Sequence, residues 1–161
     1  MIERIVSGGQ TGVDRAALDV ALELQLPCGG WCPRGRRAED GRIPPMYPLK
    51  ELRSFNYAHR TGMNVDDSDG TLIITGDELS GGTALTVTLA RRKLKPVLVV
   101  DLREETDVAA VEDWLALHKI RTLNVAGPRE SQQPGIHERA TCFLTELLSR
   151  RDADANGHDR Q

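Results

Sequence analysis

Apolar residues in this chain fall into short runs, separated by longer stretches in which they recur every three or four positions. Short runs of β-branched residues fit buried strands, and the longer period fits helices. "ERIVS" (3–7) reads as a buried strand. In "VDRAALDVALELQL", Ala17, Leu18, Ala21, Leu22 and Leu24 share one side at helical spacing, and Pro27 ends the region. "CGGW" (28–31) is a second short strand. Residues 33–50 show no period and are rich in Gly, Pro and charge, an irregular arm of a length that is functional or disordered. "NYAHRTGMNVDDSD" (56–69) reads as a helix weakened by Gly62, "GTLIITG" (70–76) as a buried strand, and "GGTALTVTLARR" as the next helix. "PVLVVDL" (96–102) is another buried strand. "DVAAVEDWLALHKI" is amphipathic, with Asp107 as N-cap and Val108, Val111, Trp114, Leu115 and Ile120 turned inward. "RTLNVAG" (121–127) is a strand, and "PGIHERATCFLTELLSR" (134–150) a helix entered through Pro134. Residues 151–161 are polar and aperiodic, which predicts a disordered tail.

Strands alternating with helices predict a doubly wound, mostly parallel Rossmann-like sheet with helices on both faces. One domain over 1–150 follows from the length. Ligands of such sheets bind beyond the carboxyl ends of the strands.

Composition narrows the function classes. Of 161 residues, 39% are hydrophobic, ordinary for a globular protein. A net charge of −3 with mixed signs argues against general nucleic-acid binding. No run is long enough to span a bilayer, and "MIERIV" lacks the layout of a signal peptide, so a cytoplasmic protein is expected. Cys28, Cys32 and Cys142 are odd in number and not spaced for zinc; free thiols and no metal site are expected.

Three glycine-bearing loops follow strands and precede helices. In the first, "SGGQTG", Ser7 replaces the first glycine of a G-x-G-x-x-G turn while Gly9 and Gly12 match the others. Gly8 adds backbone freedom, and Gln10 and Thr11 can donate hydrogen bonds. The second, "ELSGGTALT", offers Ser80, Gly81, Gly82 and Thr83; the third, "NVAGPRESQQPG", offers Gly127, Arg129 and Ser131. Backbone amides at helix N-termini suit an anion, although glycine pairs also serve close packing alone. The acid that a dinucleotide site places after its second strand is missing: Cys32, Pro33 and Arg34 stand there, which disfavours NAD or FAD. Arg34, Arg36 and Arg37 on the arm either close over an anion or lie in a solvated loop.

Catalytic candidates are few. Asp14 either complements the dipole of the first helix or serves as a base or ribose ligand. Asp101 ends a strand on the ligand side. Asp66, Asp67 and Asp69 form a solvated turn or a magnesium site. His118 fits a helix C-terminus; His59 and His137 are scattered. Trp31 and Tyr47 are the candidate stacking partners for a ligand ring.

The segments "ERIVSGGQTGVDRAALDVALEL", "GGWCPRGRRAEDGRIP", "LSGGTAL", "KPVLVVDL" and "LNVAGPRES" resemble the putative molybdenum carrier family, over nearly all of the chain to about residue 150. That family is similar to a wider Rossmann-like superfamily including molybdenum cofactor carriers, lonely-guy phosphoribohydrolases and the DNA-processing protein DprA. The resemblance implies a cytosolic, homo-oligomeric (dimeric or tetrameric) protein that binds a nucleotide or a nucleotide-like cofactor, with the molybdenum cofactor, a phosphate-bearing pterin, as one candidate. The phosphoribohydrolases carry P-G-G-x-G-T-x-x-E; "LSGGTALTVTLA" keeps Gly81, Gly82 and Thr83 but has no acid through Ala90. The expected reading is therefore a non-catalytic binder of a small phosphorylated ligand. A nucleotide-processing hydrolase or transferase, and an oligomerising interaction module, are the alternatives.

Overall fold

The computed structural model describes residues 1–150. In chain order its elements are β1 (Arg4–Val6), α1 (Val13–Glu23), β2 (Cys28–Gly29), β3 (Trp31–Cys32), a 3₁₀ turn (Arg34–Arg36), β4 (Arg37–Ala38), β5 (Gly41–Arg42), β6 (Lys50–Glu51), α2 (Tyr57–Asp66), β7 (Gly70–Thr75), α3 (Gly81–Arg92), β8 (Val97–Asp101), α4 (Val108–Leu117), β9 (Thr122–Ala126) and α5 (Ile136–Ser149). The disordered tail expected at 151–161 lies outside the described residues.

The main sheet has five parallel strands in the order β2-β1-β9-β7-β8. Counted from β9, the order becomes 3-2-1-4-5, the start of the doubly wound Rossmann order. The central strand of the sheet is thus the last strand of the chain. Strand order reverses between β9 and β7, so the crevice expected for a ligand lies beyond Ala126 and Thr75.

Alternation along the strands divides the interior. Ile5, Leu72, Ile74, Leu123 and Val125 face the main core, where Ala17, Val20, Val111, Phe143, Leu144 and Leu147 from α1, α4 and α5 meet them. Thr71, Ile73 and Asn124 face the other way, toward α2 and α3, and Asn124 Nδ2 donates to Thr71 Oγ1 across 3.2 Å. One face of the sheet is therefore aliphatic and the other partly polar.

Caps fix the helix starts. Asp107 accepts from Ala110 N at 3.2 Å for α4, as the sequence predicts, and Asn56 accepts from His59 N at 3.2 Å for α2. Glu130 caps α5 by accepting from Gly135 N (2.5 Å) and His137 N (2.9 Å). Ser80 forms no side-chain cap at α3, so the first-turn amides there stay open.

Three sequence expectations are corrected. "CGGW" is two strands: β2 joins the main sheet, while β3 pairs with β6 across the arm. The "VLVV" run is not a fully buried strand; β8 is the sheet edge, and Val99 is 38% exposed. Leu22 lies on the outer side of α1 at 37% exposure, because the helix buries its small Ala residues instead.

The arm has order of its own. β4 and β5 form a hairpin, and Ile43 and Tyr47 pack with Leu18 and Cys32 in a second core. Arg36 is buried and holds the arm together. Its guanidinium donates to Pro44 O (2.7 Å), Tyr47 O (2.9 Å), Ile43 O (3.1 Å) and Leu49 O (3.3 Å). Removing it takes a donor from four carbonyls and leaves Ile43 O and Leu49 O without one, since Pro44 O and Tyr47 O keep backbone partners. Arg36→Ala should therefore cost about 2–4 kcal/mol of stability by denaturant unfolding and raise amide exchange in the arm. A loss below about 0.5 kcal/mol would contradict this role.

Candidate functional site

At the reversal point, the three loops named from sequence meet. Gln10 from the first, Gly81, Gly82 and Thr83 from the second, and Gly127, Arg129 and Gln132 from the third line one cleft of about 200 Å³. Beneath it lies a polar cavity of about 20 Å³ that shares Tyr57, Gly82, Thr83 and Gly127 with the cleft. Its walls add Gly8, Asp14, Arg60, Thr61, Asn64, Thr86 and Asn124.

The cavity is organised by Arg60, which sequence reasoning missed. α2 turns Arg60, Thr61, Asn64 and Val65 inward, so most of its buried face is polar. Asn64 is tied to β3: its Oδ1 accepts from Trp31 N (2.7 Å) and its Nδ2 donates to Trp31 O (3.1 Å). The Arg60 side chain is 6% exposed, and its Nη1 lies 3.6 Å from Asp14 Oδ2. Its guanidinium carbon stands 4.4 Å from the Tyr57 ring centre, a cation–π contact. Arg60 Nε is buried and has no hydrogen-bond partner. A buried donor without a partner is costly; Arg15 Nε is in the same condition, but Arg60 is the one of the two whose residue lines the inner cavity.

Gly8 makes the arrangement possible. A Cβ there would lie 1.6 Å from Arg60 Nη1 and 2.9 Å from Asp14 Oδ2. Gly127 is equally constrained, since a Cβ would come within 2.3 Å of Ile74 O.

The first loop differs from an open amide cradle. Val13 N donates to Pro128 O (3.2 Å), Gln10 N to Asp14 Oδ2 (3.4 Å), and Thr11 N to Gln10 Oε1 (3.2 Å). Ser7 is fully buried, with its hydroxyl donating to Val125 O (2.9 Å) and Asp14 O (3.1 Å). Gly9 faces Leu49 of the arm, and Gly12 packs on Pro128 O. Much of this loop is bound to its own protein. By contrast, the α3 start offers Gly81, Gly82 and Thr83 amides to the cleft without a side-chain cap.

The other predicted residues stand elsewhere. Thr11 and Ser131 open onto the opposite side of the first loop, where both hydroxyls donate to Glu39 and Ser131 N donates to it at 3.1 Å. These hydrogen bonds hold the Glu39 carboxyl below its ordinary value. Arg34 and Arg37 stack on Phe55, at 5.3 and 5.5 Å from its ring centre, and Arg36 staples the arm. None of these three lines the cleft. Arg129 does, and it forms no ion pair among the described residues.

Asp101 is gripped by Arg103, at 2.6 Å, outside the cleft. Asp66 pairs with Lys93 (2.8 Å), Asp67 accepts from Trp31 Nε1 (2.8 Å), and Asp69 accepts from Arg121 N (3.0 Å) and Thr122 N (2.8 Å), so each acid of that turn is separately engaged. Tyr47 is buried against Asp19 and Trp31 is bound to Asp67. Tyr57, not these two, is the aromatic of the cleft. His118 follows α4 and packs on Trp114, with ring centres 5.6 Å apart. His137 meets Asp19 at 2.8 Å. Among the described residues the three cysteines are free, and no cluster could hold a metal ion.

Burial raises the Asp14 carboxyl above its ordinary value of 3.8, against the opposing pull of Arg60. Between 3.8 and that raised value the folded state keeps a proton that the unfolded chain has already released, and above it Asp14 is ionised beside Arg60. Asp14 stability is full below 3.8 and is lost as pH rises through the folded value. In denaturant unfolding from pH 4 upward, wild type minus Asp14→Asn should decline with pH. A flat difference would contradict the burial effect.

No helix among the described residues is long and apolar enough to cross a membrane. The sequence matches the family described as "Circularly permutated YpsA SLOG family" over residues 5–148. None of the curated proteins matches it. The fold is similar to the crystal structure of a "Putative molybdenum carrier protein" from Syntrophus aciditrophicus SB, with a TM-score of 0.88 and 46% identity, covering 91% of this chain and 95% of that one. A doubly wound sheet that starts at its second strand and ends at its first is a circular permutation of the Rossmann order, in keeping with that description. This chain belongs to the circularly permutated YpsA SLOG family.

Proposed function

We propose that this chain binds and carries a small phosphorylated, nucleotide-like ligand, without catalysing its conversion, and that the phosphate sits where the α3 amides, Arg129 and the Arg60 cavity converge. The observation that carries this reading is the unpartnered Nε of a 6% exposed arginine beside an uncapped helix start. An anion oxygen supplies the missing acceptor, and the helix N-terminus favours its charge. The outer cleft has room for a ring against Tyr57 and Leu85. The phosphate-bearing molybdenum cofactor is one candidate cargo, in keeping with the name of the structural relative; a nucleotide is the other. Assembly into homo-oligomers remains part of this reading through the family resemblance alone.

A second reading, a nucleotide-processing hydrolase or transferase, draws on one observation: Asp14 lines the same cavity as Arg60 and could act as a base toward a bound ligand. Product formation from a nucleoside monophosphate panel, followed by chromatography, separates the two; the carrier reading expects none.

Calorimetric titration with inorganic phosphate and nucleoside monophosphates tests the site. Arg60→Gln should weaken binding about 10- to 100-fold, the worth of a charged hydrogen bond in a buried setting, while circular dichroism stays unchanged. Equal affinity in a folded variant would refute the site.

A further inference from the structure

We propose that Asp14 makes the inner cavity selective for an oxyanion that brings a proton, so that a phosphate group is accepted and fully ionised oxyanions such as sulfate and molybdate are rejected. The proposal rests on the anion reading of the cleft and adds the ligand's protonation state to it.

The cavity, at about 20 Å³, has room for one oxygen-sized group rather than a whole anion. That group faces Arg60 and Asp14 together, since both line the cavity and both are 5% exposed. The guanidinium only donates hydrogen bonds, and an ionised carboxylate only accepts them. The contacts already made by the Asp14 carboxyl both fall on Oδ2, from Gln10 N and Arg60 Nη1. An anion oxygen placed against it sets acceptor against acceptor and charge against charge, away from water. One proton between them converts that repulsion into a hydrogen bond.

Burial raises the Asp14 carboxyl, so the selection acts above its folded value, where Asp14 is ionised and has few proton sources nearby. Arg60 and Tyr57 face Asp14 from α2, and Arg129 faces it from the loop after β9. α3 and β9 contribute the neutral Thr83, Thr86 and Asn124. His137 on α5 is engaged with Asp19, farther along α1. The proton therefore arrives with the ligand or from solution. A phosphate monoester, with a second pKa of about 6, carries one at little cost near neutrality. Sulfate and molybdate are anions of stronger acids and do not. The chain would then hold a molybdenum-bearing cofactor by its phosphate and leave free molybdate unbound.

Calorimetry with inorganic phosphate, sulfate and molybdate, at pH values from 6 to 8, tests this. For wild type above the pH at which the Asp14 stability contribution is lost, phosphate should bind at least about tenfold tighter than either other anion. Sulfate and molybdate affinity should fall about tenfold per pH unit, the signature of one proton taken up. Asp14→Asn, whose amide donates to an ionised oxygen, should bring the three anions within about threefold of one another. Wild-type sulfate or molybdate binding as tight as phosphate would overturn the proposal without using any variant. An unchanged ratio in folded Asp14→Asn would overturn it as well. In both outcomes anion binding persists and the carrier reading survives. Absence of all anion binding to wild type would sink both.

Discussion

A guanidinium that is almost wholly buried needs an opposite charge, space in the backbone and something to accept its donors. Arg60 has the first in Asp14, 3.6 Å away, and the second in Gly8, where any side chain would overlap it. The third is incomplete, because Nε has no partner. The rest of the site follows from that deficit. α2 is fixed by Asn64 to β3, which holds Arg60 beneath the strand ends. The uncapped start of α3 faces the same point from above. On the proposed reading, the open α3 amides, Arg129 and Arg60 outnumber the single carboxylate of Asp14, and an anion would balance them.

The two glycine turns of the sequence divide the work. The first gives space and rigidity: its amides are spent on Pro128, Asp14 and Gln10, and its Gly8 leaves room for an arginine from another helix. The second gives donors. The arm meets the far side of the first loop, where Glu39 gathers the hydroxyls of Thr11 and Ser131, and Arg15 pairs with Asp40 at 2.5 Å. Most side-chain donors of that side are taken up by the protein's own carboxylates, although Arg15 Nε is buried without a partner as Arg60 Nε is; in the cleft the first-turn amides of α3 stay open.

Much of the fold was legible in the sequence because periodicity survives packing. The "GTLIITG" run became a fully buried strand, Asp107 became the cap of α4, and the alternation of strands and helices gave the doubly wound sheet. The convergence of three loops was also legible, since each follows a strand end. Strand order was not. No local pattern tells β8 that it is an edge or β9 that it is central, because register depends on partners far along the chain. Arg36 was visible as a charge but not as a staple, since the carbonyls it collects come from four residues of an aperiodic arm. Arg60 left one signal that was passed over: Arg60, Thr61 and Asn64 recur at helical spacing where apolar residues would ordinarily make the buried face. A helix with a polar stripe turned inward marks a polar site.

The central claim is that one oxygen of an anion completes the hydrogen bonding of Arg60. Nitrogen-15 NMR of the intact chain, titrated with inorganic phosphate at pH 6.5, reads this directly. The account predicts a large downfield shift of the Arg60 Nε–H proton, saturating together with shifts of the Gly8, Gly82, Thr83 and Gly127 amides. An Arg60 Nε–H resonance that stays unmoved while phosphate binds, or shifts confined to residues outside the cleft, would contradict it.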